Sequence, residues 1–531
     1  MDYLTTSLLP SGNRLVTEAV CPGLMSKPAV IDKANDKAVI IPRLIKEVDI
    51  QSTADALLLG TNSTSETVRW IVGTPSGPTF WWMVLDNGDQ YRMTSSLGDD
   101  DTSSDDMNAA AVLPWSTVDS ADRPLVISSR DSTRKDGNET MQYSPFPQPS
   151  ITSPLSAAVP TPNGGFLLVQ QQHTSTTGNT YQLTQLTANY SDVTHSSLWA
   201  SALDPLPDAS ISYSHKHQLW AVYTASTDRY NHAVVGDALE AHALTVLQWN
   251  AETESVEIHA QVTLQDEEEE DTVFEGLGVI WADVNGDGQE DLVTTISNRA
   301  VGARLRVYTL TTASADANER QELTLLAQAP AIGVGGRWLH QLAVGNLGPQ
   351  GETEVVEIRT PHIGGIVRYY QWDGSDELQL VASSQRYTSH DIRSRNLDRA
   401  VVFDLNGDGI PELVVQNQDK DTLVGLQRTN NNNEGVETVW SIPLSSPVES
   451  NLAVGCSSDP DILELLFSTQ DQNLVKLQFA PANISGDIDD IVGSRIVDTT
   501  SGVHFGYEAT HGSLRFVLSL IFMGIHAIGM F

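Results

Sequence analysis

GVIWADVNGDGQEDLVTTI (Gly278 to Ile296) and AVVFDLNGDGIPELVVQN (Ala400 to Asn417) match almost position for position. Each is an apolar run, a loop of acids, amides and glycines, and a second apolar run rich in β-branched residues. That pattern reads as strand, tight turn, strand. Asp283 and Asp404, which open the two loops, are 121 residues apart, too far for adjacent repeats of ordinary size. Halfway lies QLAVGNLGPQGETEVVEI (Gln341 to Ile358), of the same shape but without the acids, and Gly345 aligns with Asp283. A fourth copy, NLAVGCSSDPDILELLFS (Asn451 to Ser468), sets Gly455 another 51 residues beyond Asp404.

Upstream, weaker strand–turn–strand patterns recur around Asp55 to Leu59, Asp122 to Ile127, Pro162 to Val169 and His215 to Val222. Runs such as TVRWIVGT, TFWWMVLD, LWAVYTAS and RLRVYTLT add strands between them, and helical periodicity is hard to find. About eight units of roughly 45–70 residues, each with room for four short strands, describe an all-β fold: a β-propeller of seven or eight four-stranded blades. The chain divides into an N-terminal extension (1–27), the propeller (28–482), a linker (483–511) and a hydrophobic C-terminal tail (512–531) read as a short helix.

The loops carry the chemistry. Asp283, Asn285 and Asp287 occupy positions 1, 3 and 5, Gln289 offers a backbone carbonyl at position 7, and Asp291 closes the set at position 9. The second loop offers Asp404, Asn406, Asp408, the carbonyl of Ile410, and Glu412. Hard oxygen donors in that number suit Ca²⁺, giving two expected sites; acid-rich turns that bind nothing are the competing reading. An EF-hand would need a bidentate Glu at position 12, where Thr294 and Val415 stand.

The pattern D-x-N-G-D-G-x-x-D/E-L-V between strands resembles the FG-GAP or VCBS-type repeat of integrin α-subunit-like propellers. The resemblance is strongest over the two full motifs, fair over Gln341 to Ser468, and only architectural before about residue 270. It implies that the loop joins the first two strands of a blade, binds calcium structurally, and faces away from the ligand-binding side. Calcium is not assigned to the units at Gly345 and Gly455, where the first acid is missing.

The chain has 531 residues, with 68 acids against 30 Lys and Arg and a net charge of −38. Such a charge excludes a nucleic-acid partner, since nothing would neutralise phosphates. With Cys21 and Cys456 as the two cysteines there is no disulfide framework; one bond or two free thiols both remain open. The start lacks the apolar region of a signal peptide, while Phe516 to Phe531 is mostly apolar. A GPI-attachment signal, a tail anchor and a docked helix are the readings of that tail. The first two place the protein at a membrane, extracellular or on the cell surface.

YTSHDIRSRNLDRA (Tyr387 to Ala400) and RWLHQLAVG (Arg337 to Gly345) lead into strands of two units, which puts His340, His390, Arg393, Arg395 and Arg399 near the central channel as candidate ligand contacts. Ordinary ion pairs between blades are the plainer account of them. Consecutive Ser389, His390 and Asp391 cannot form a catalytic relay with one another on a strand, because neighbours point to opposite faces. GVGG (Gly333 to Gly336) lacks the helix and GK[ST] element of a P-loop. The expected function is a non-catalytic, calcium-stabilised module for binding or adhesion to a protein or glycan. A sugar-active enzyme of polysaccharide-lyase type working in the channel is the alternative, and a lectin-like structural module is a third.

Overall fold

The computed structural model describes residues 203–214, 216–264, 271–312, 321–405, 409–430, 435–456, 463–471 and 473–479, with isolated strands between 43 and 197. The protein is all-β and antiparallel throughout its named strands. Its strands form six sheets, of which the nine-stranded one is two meanders joined by the single pair Ala241 and Phe274. The described residues thus form seven meander units. Units I to VI span 68–114, 159–197, 212–263, 272–328, 339–385 and 387–443. Unit VII takes three strands from 453–479 and its fourth, Arg43–Asp49, from near the start of the chain, paired antiparallel to Asn473–Phe479. First strands lie side by side in chain order from unit III to unit VII, and that of unit VII lies against that of unit I.

Period-two alternation decides which sheet face packs where. In unit IV the second strand, Asp291–Asn298, is buried along its whole length. Leu292 and Ile296 face unit III with Phe274 and Trp281, while Val293 faces unit V with Leu339, Val344 and Val355. Unit VI repeats the arrangement: Leu413 and Val415 pack on unit V, and Val414 packs on unit VII. Inner strands buried on both faces read as near-continuous apolar or Thr runs, which is how they stand in the sequence. Each fully buried Val or Leu contributes about 1.5–3 kcal/mol relative to exposure. Fourth strands alternate instead, as in Leu378–Gln385, where the outer edge meets water. Gly425 of unit VI admits no side chain: a Cβ there would sit 2.3 Å from the Trp440 ring on the neighbouring strand.

Of the expected units, the pattern at 162–169 falls in unit II and that at 215–222 in unit III. Those at 55–59 and 122–127 lie outside the described residues, as do segments 1–27, 483–511 and 512–531, with the C-terminal helix and Cys21. Among the described residues no helix is long and apolar enough to cross a membrane.

Candidate functional site

In unit IV the first strand ends at Ala282, which pairs with Asp291 at the start of the second. The turn between them closes on its own amides. Asp283 accepts from Gly286 N at 2.8 Å and from Gly288 N at 2.9 Å, Asn285 from Asp287 N at 2.9 Å, and Asp287 from Gln289 N at 2.7 Å. Gly286 and Gly288 hold φ of +73° and +87°, conformations costly for other residues. Asp291 is fully buried and accepts from Val284 N at 3.0 Å through Oδ2. Its Oδ1 meets no donor in hydrogen-bonding geometry. Burial pushes this carboxyl up to about 6, against the opposing pull of the Thr309 hydroxyl and the Val284 amide.

Unit VI shows the same frame. Asp404 accepts from Gly409 N at 2.9 Å and Glu412 from Leu405 N at 2.8 Å, the counterparts of the Asp283 and Asp291 bonds. The Ile410 carbonyl accepts from the Gln427 amide at 3.1 Å. Asn406 and Asp408 lie outside the described residues.

Strand register corrects the alignment of the acid-poor copies. Gly345 pairs with Glu354, and Gly455 with Glu464, as Ala282 pairs with Asp291. Asn346, not Gly345, therefore stands where Asp283 does. The closing acid survives in every unit from IV to VII: Asp291, Glu354, Glu412 and Glu464 are all fully buried. In unit V the Arg428 guanidinium from unit VI meets Glu354 at 2.8 Å, with its own charge over the Tyr369 ring at 5.5 Å. Gln371 donates to the same carboxylate at 3.0 Å. Asp291 has no such cation: no ion pair to it exists among the described residues.

Whether the unit IV turn suits a metal follows from its donors. Three acids and an amide supply oxygen only, and a fully buried carboxylate oxygen is left without a partner, which is the chemistry of a Ca²⁺ ligand set. In this conformation the side chains are turned onto their own backbone. Among the described residues no group of three or more His, Cys, Asp or Glu converges at metal-binding spacing. A bound cation would draw Asp283, Asn285 and Asp287 off those amides.

The second candidate region is the first strand of unit VI, which is interrupted. Tyr387–Thr388 and Val401–Phe403 both pair with Glu412–Asn417, and residues 389–400 loop out between them. The loop reaches unit III. Arg395 donates to Asp208 at 2.7 Å and to Asp237 at 2.7 Å, with its guanidinium lying where a Cβ on Gly236 would stand. The exposed Arg393 contributes its backbone N–H to the Val234 carbonyl at 2.8 Å. Leu397 packs on Val234, Val235, Leu277 and Trp338. Arg399, 2% exposed, is paired with Asp391 and donates to the Glu449 carbonyl, in the connector into unit VII, at 3.2 Å.

His340 and His390, each 1% exposed, stack around Trp338 with ring centroids 4.9 Å away, joined by His362 at 6.0 Å. His390 donates through Nε2 to the Ser394 carbonyl at 2.7 Å, so its Nδ1 accepts from His362 Nε2 at 2.8 Å. Burial holds His390 down at about 3 and His362 at about 4, so both are neutral. His340 Nε2 lies 2.8 Å from the Ser389 hydroxyl, with Nδ1 at 3.0 Å from the Gln341 carbonyl. That pairing has the spacing of a base and nucleophile, but both residues are sealed from solvent.

The five predicted ligand residues thus separate. The two histidines share a buried aromatic stack, Arg395 and Arg399 are held in ion pairs, and Arg393 stands apart at the surface. Sequence reasoning missed Trp338, His362, Asp208 and Asp237, and it weighed Ser389 only against its neighbours His390 and Asp391, not against His340 across the fold. It also missed Glu240, buried with both oxygens unbonded, whose carboxyl is held far above the usual range by burial and by Glu275, Asp208 and Asp237.

No protein-family model matches the chain, and no curated protein matches it. Among solved structures it is similar to a Bacteroides fragilis protein provisionally assigned as a 6-phosphogluconolactonase, at 11% identity over 79% of this chain and 99% of that one, with a TM-score of 0.34. A likeness that loose carries no weight for fold or function.

Proposed function

We propose that the seven units are the blades of one β-propeller, stabilised by calcium at the first turns of units IV and VI, and that it serves as a non-catalytic binding or adhesion module. Two-sided burial of the inner strands, the side-by-side first strands and the pairing of Arg43–Asp49 with Asn473–Phe479 support the blade arrangement. The two turns keep all-oxygen donors, and Asp291 keeps a buried orphan oxygen. In them Asp283, Asn285, Asp287 and Asp291, and Asp404, Asn406, Asp408 and Glu412, would hold the ions. Bound calcium would neutralise the buried acids and fix the blade corner.

One observation carries the non-catalytic reading: segment 389–400 is bound back onto the protein, with Arg395 held by Asp208 and Asp237, and in the proposed propeller it would lie across the channel. The histidines and arginines there are engaged with the protein itself, which weighs against a sugar-active enzyme using them. The ligand would be a protein or glycan met at a membrane or cell surface, with 512–531 as the membrane attachment.

The test is binding of the labelled protein to a glycan array and to intact cells, with calcium and with EGTA. Calcium-dependent retention supports the proposal. Cleavage of an acidic polysaccharide, seen as new unsaturated uronate absorbance and lost in His340→Ala, would replace it with the enzyme reading.

A further inference from the structure

A cleft of about 220 Å³ opens away from the regions above, between units III, IV and V. Its walls are the loop after the second strand of unit III (Tyr230, His232), the turn after the second strand of unit IV (Asn298, Arg299), and the connector into unit V with Arg337. Among the described residues no carboxylate lines it, although the chain carries a net charge of −38. Arg299 donates to the Arg229 carbonyl and Arg337 to the Ile332 carbonyl at 3.4 Å, and neither has an acidic partner among the described residues. Arg386, Arg395, Arg399 and Arg428 all face acids. Two guanidiniums that line one cleft with no ion pair among the described residues bring a positive field to it.

The connector supplies the rest of the site. Gly333, Gly335 and Gly336 hold φ of +84°, +105° and +65°, so the backbone turns sharply in a way side chains would resist. Gly302 lies so close beneath it that a Cβ would stand 2.2 Å from the Gly333 carbonyl oxygen, which seats the connector against unit IV. The amides of Val334, Gly335 and Gly336 donate to no acceptor among the described residues. Successive backbone N–H groups on a glycine turn form an anion-binding concavity without any helix. His232 is fixed from below by Glu275 at 2.6 Å and by the Gly336 carbonyl, which supports the loop's shape.

We propose that this cleft is a binding site for a small oxyanion, a phosphate, sulfate or carboxylate group carried free or on a small molecule, held by Arg299, Arg337 and the 334–336 amides. Arginine's planar fork matches such oxygens in pairs. The volume is below the ~300–1,000 Å³ of sites for drug-sized ligands, so the site takes the anionic group with little else. GVGG therefore contributes as an open glycine turn between strands rather than as a P-loop. The site requires neither calcium nor the propeller arrangement.

The test is calorimetric titration of the full chain with inorganic phosphate, sulfate and glucuronate in separate runs. At least one should bind saturably, one per chain. Arg337→Gln and Arg299→Gln should each weaken it tenfold or more, and Val334→Glu, which adds a charge at the exposed lip, should abolish it. Arg386→Gln, a surface arginine outside the cleft, should bind as the parent does, and EGTA should change nothing. Glucuronate binding without phosphate or sulfate would assign a carboxylate ligand, and the converse a tetrahedral anion. No saturable binding of any of the three at tens of millimolar overturns the proposal. So does unchanged affinity in the folded Arg299→Gln/Arg337→Gln double variant.

Discussion

Units IV and V place a fully buried carboxylate at the same point, the first residue of the second strand, and treat it differently. In unit V the Glu354 charge meets the Arg428 guanidinium and a Gln371 amide. In unit IV the Asp291 charge meets the Val284 amide and the pull of the Thr309 hydroxyl but no cation among the described residues, and its Oδ1 meets no donor in hydrogen-bonding geometry, beneath a turn that carries two more acids. A buried anion needs a cation or a proton. Where the turn has lost its acids, the protein supplies an arginine from the next unit; where it has kept them, the proposed calcium would take that role. Position and burial are common to both units, so on that proposal the acids of the turn would mark which solution each uses.

The largest effect should come from removing the internal cation. Arg428→Met leaves Glu354 buried and uncompensated and should cost about 3–5 kcal/mol, read as a fall in melting temperature that added calcium does not restore. A loss smaller than about 1 kcal/mol would show that the pair does not neutralise the site. Burial already raises the Glu354 carboxyl despite Arg428, so the variant should be least impaired at acid pH.

Next in size is the acid response of the histidine stack around Trp338. His390 has a folded pKa of about 3 against 6.5 for a free imidazole, so the folded state disfavours its proton. Its contribution is fully present above pH 6.5 and is lost as pH falls from there towards 3, on the order of a few kcal/mol. His390→Gln should flatten that part of the pH–stability curve, and identical slopes in parent and variant would count against the neutral buried imidazole.

A smaller effect with a change of sign should appear at Asp291. Its folded pKa of about 6 lies above the unfolded 3.8, so calcium-free protein loses stability as pH rises from about 4 through 6. Asp291→Asn removes that penalty and should gain about 1–2 kcal/mol at neutral pH in EGTA. In saturating calcium the same change should be destabilising. One sign under both conditions would mean that the turn is indifferent to the ion.

Much of this was legible in the sequence because it is local. Apolar, β-branched runs bounded by turn residues marked the strands, and the D-x-N-G-D-G turns announced themselves within a dozen residues of chain. Glu354 escaped because Gly345-Asn346-Leu347-Gly348 aligns plausibly one residue out of step, and only strand register fixes Asn346 opposite Asp283. Arg395 was recognised as part of a basic stretch, but its partners Asp208 and Asp237 lie 187 and 158 residues away, and no local pattern encodes such pairing. The interruption at 389–400 was invisible for a related reason: both halves of the strand look continuous with their neighbours, and only the shared partner Glu412–Asn417 shows that the chain leaves and returns. The unit count was blurred because the last unit borrows Arg43–Asp49 from the other end of the chain.

The measurement that bears most directly on the central comparison is a calcium titration of thermal unfolding, run on the parent, on Asp283→Ala/Asp404→Ala, and on Arg428→Met. Calcium at a hundredfold excess over its dissociation constant should stabilise the parent by about 2.7 kcal/mol per independent site. The double variant should show no rise, and Arg428→Met should show the parent's full rise from a lower starting temperature. A parent melting curve that is the same in calcium and in EGTA would contradict the account.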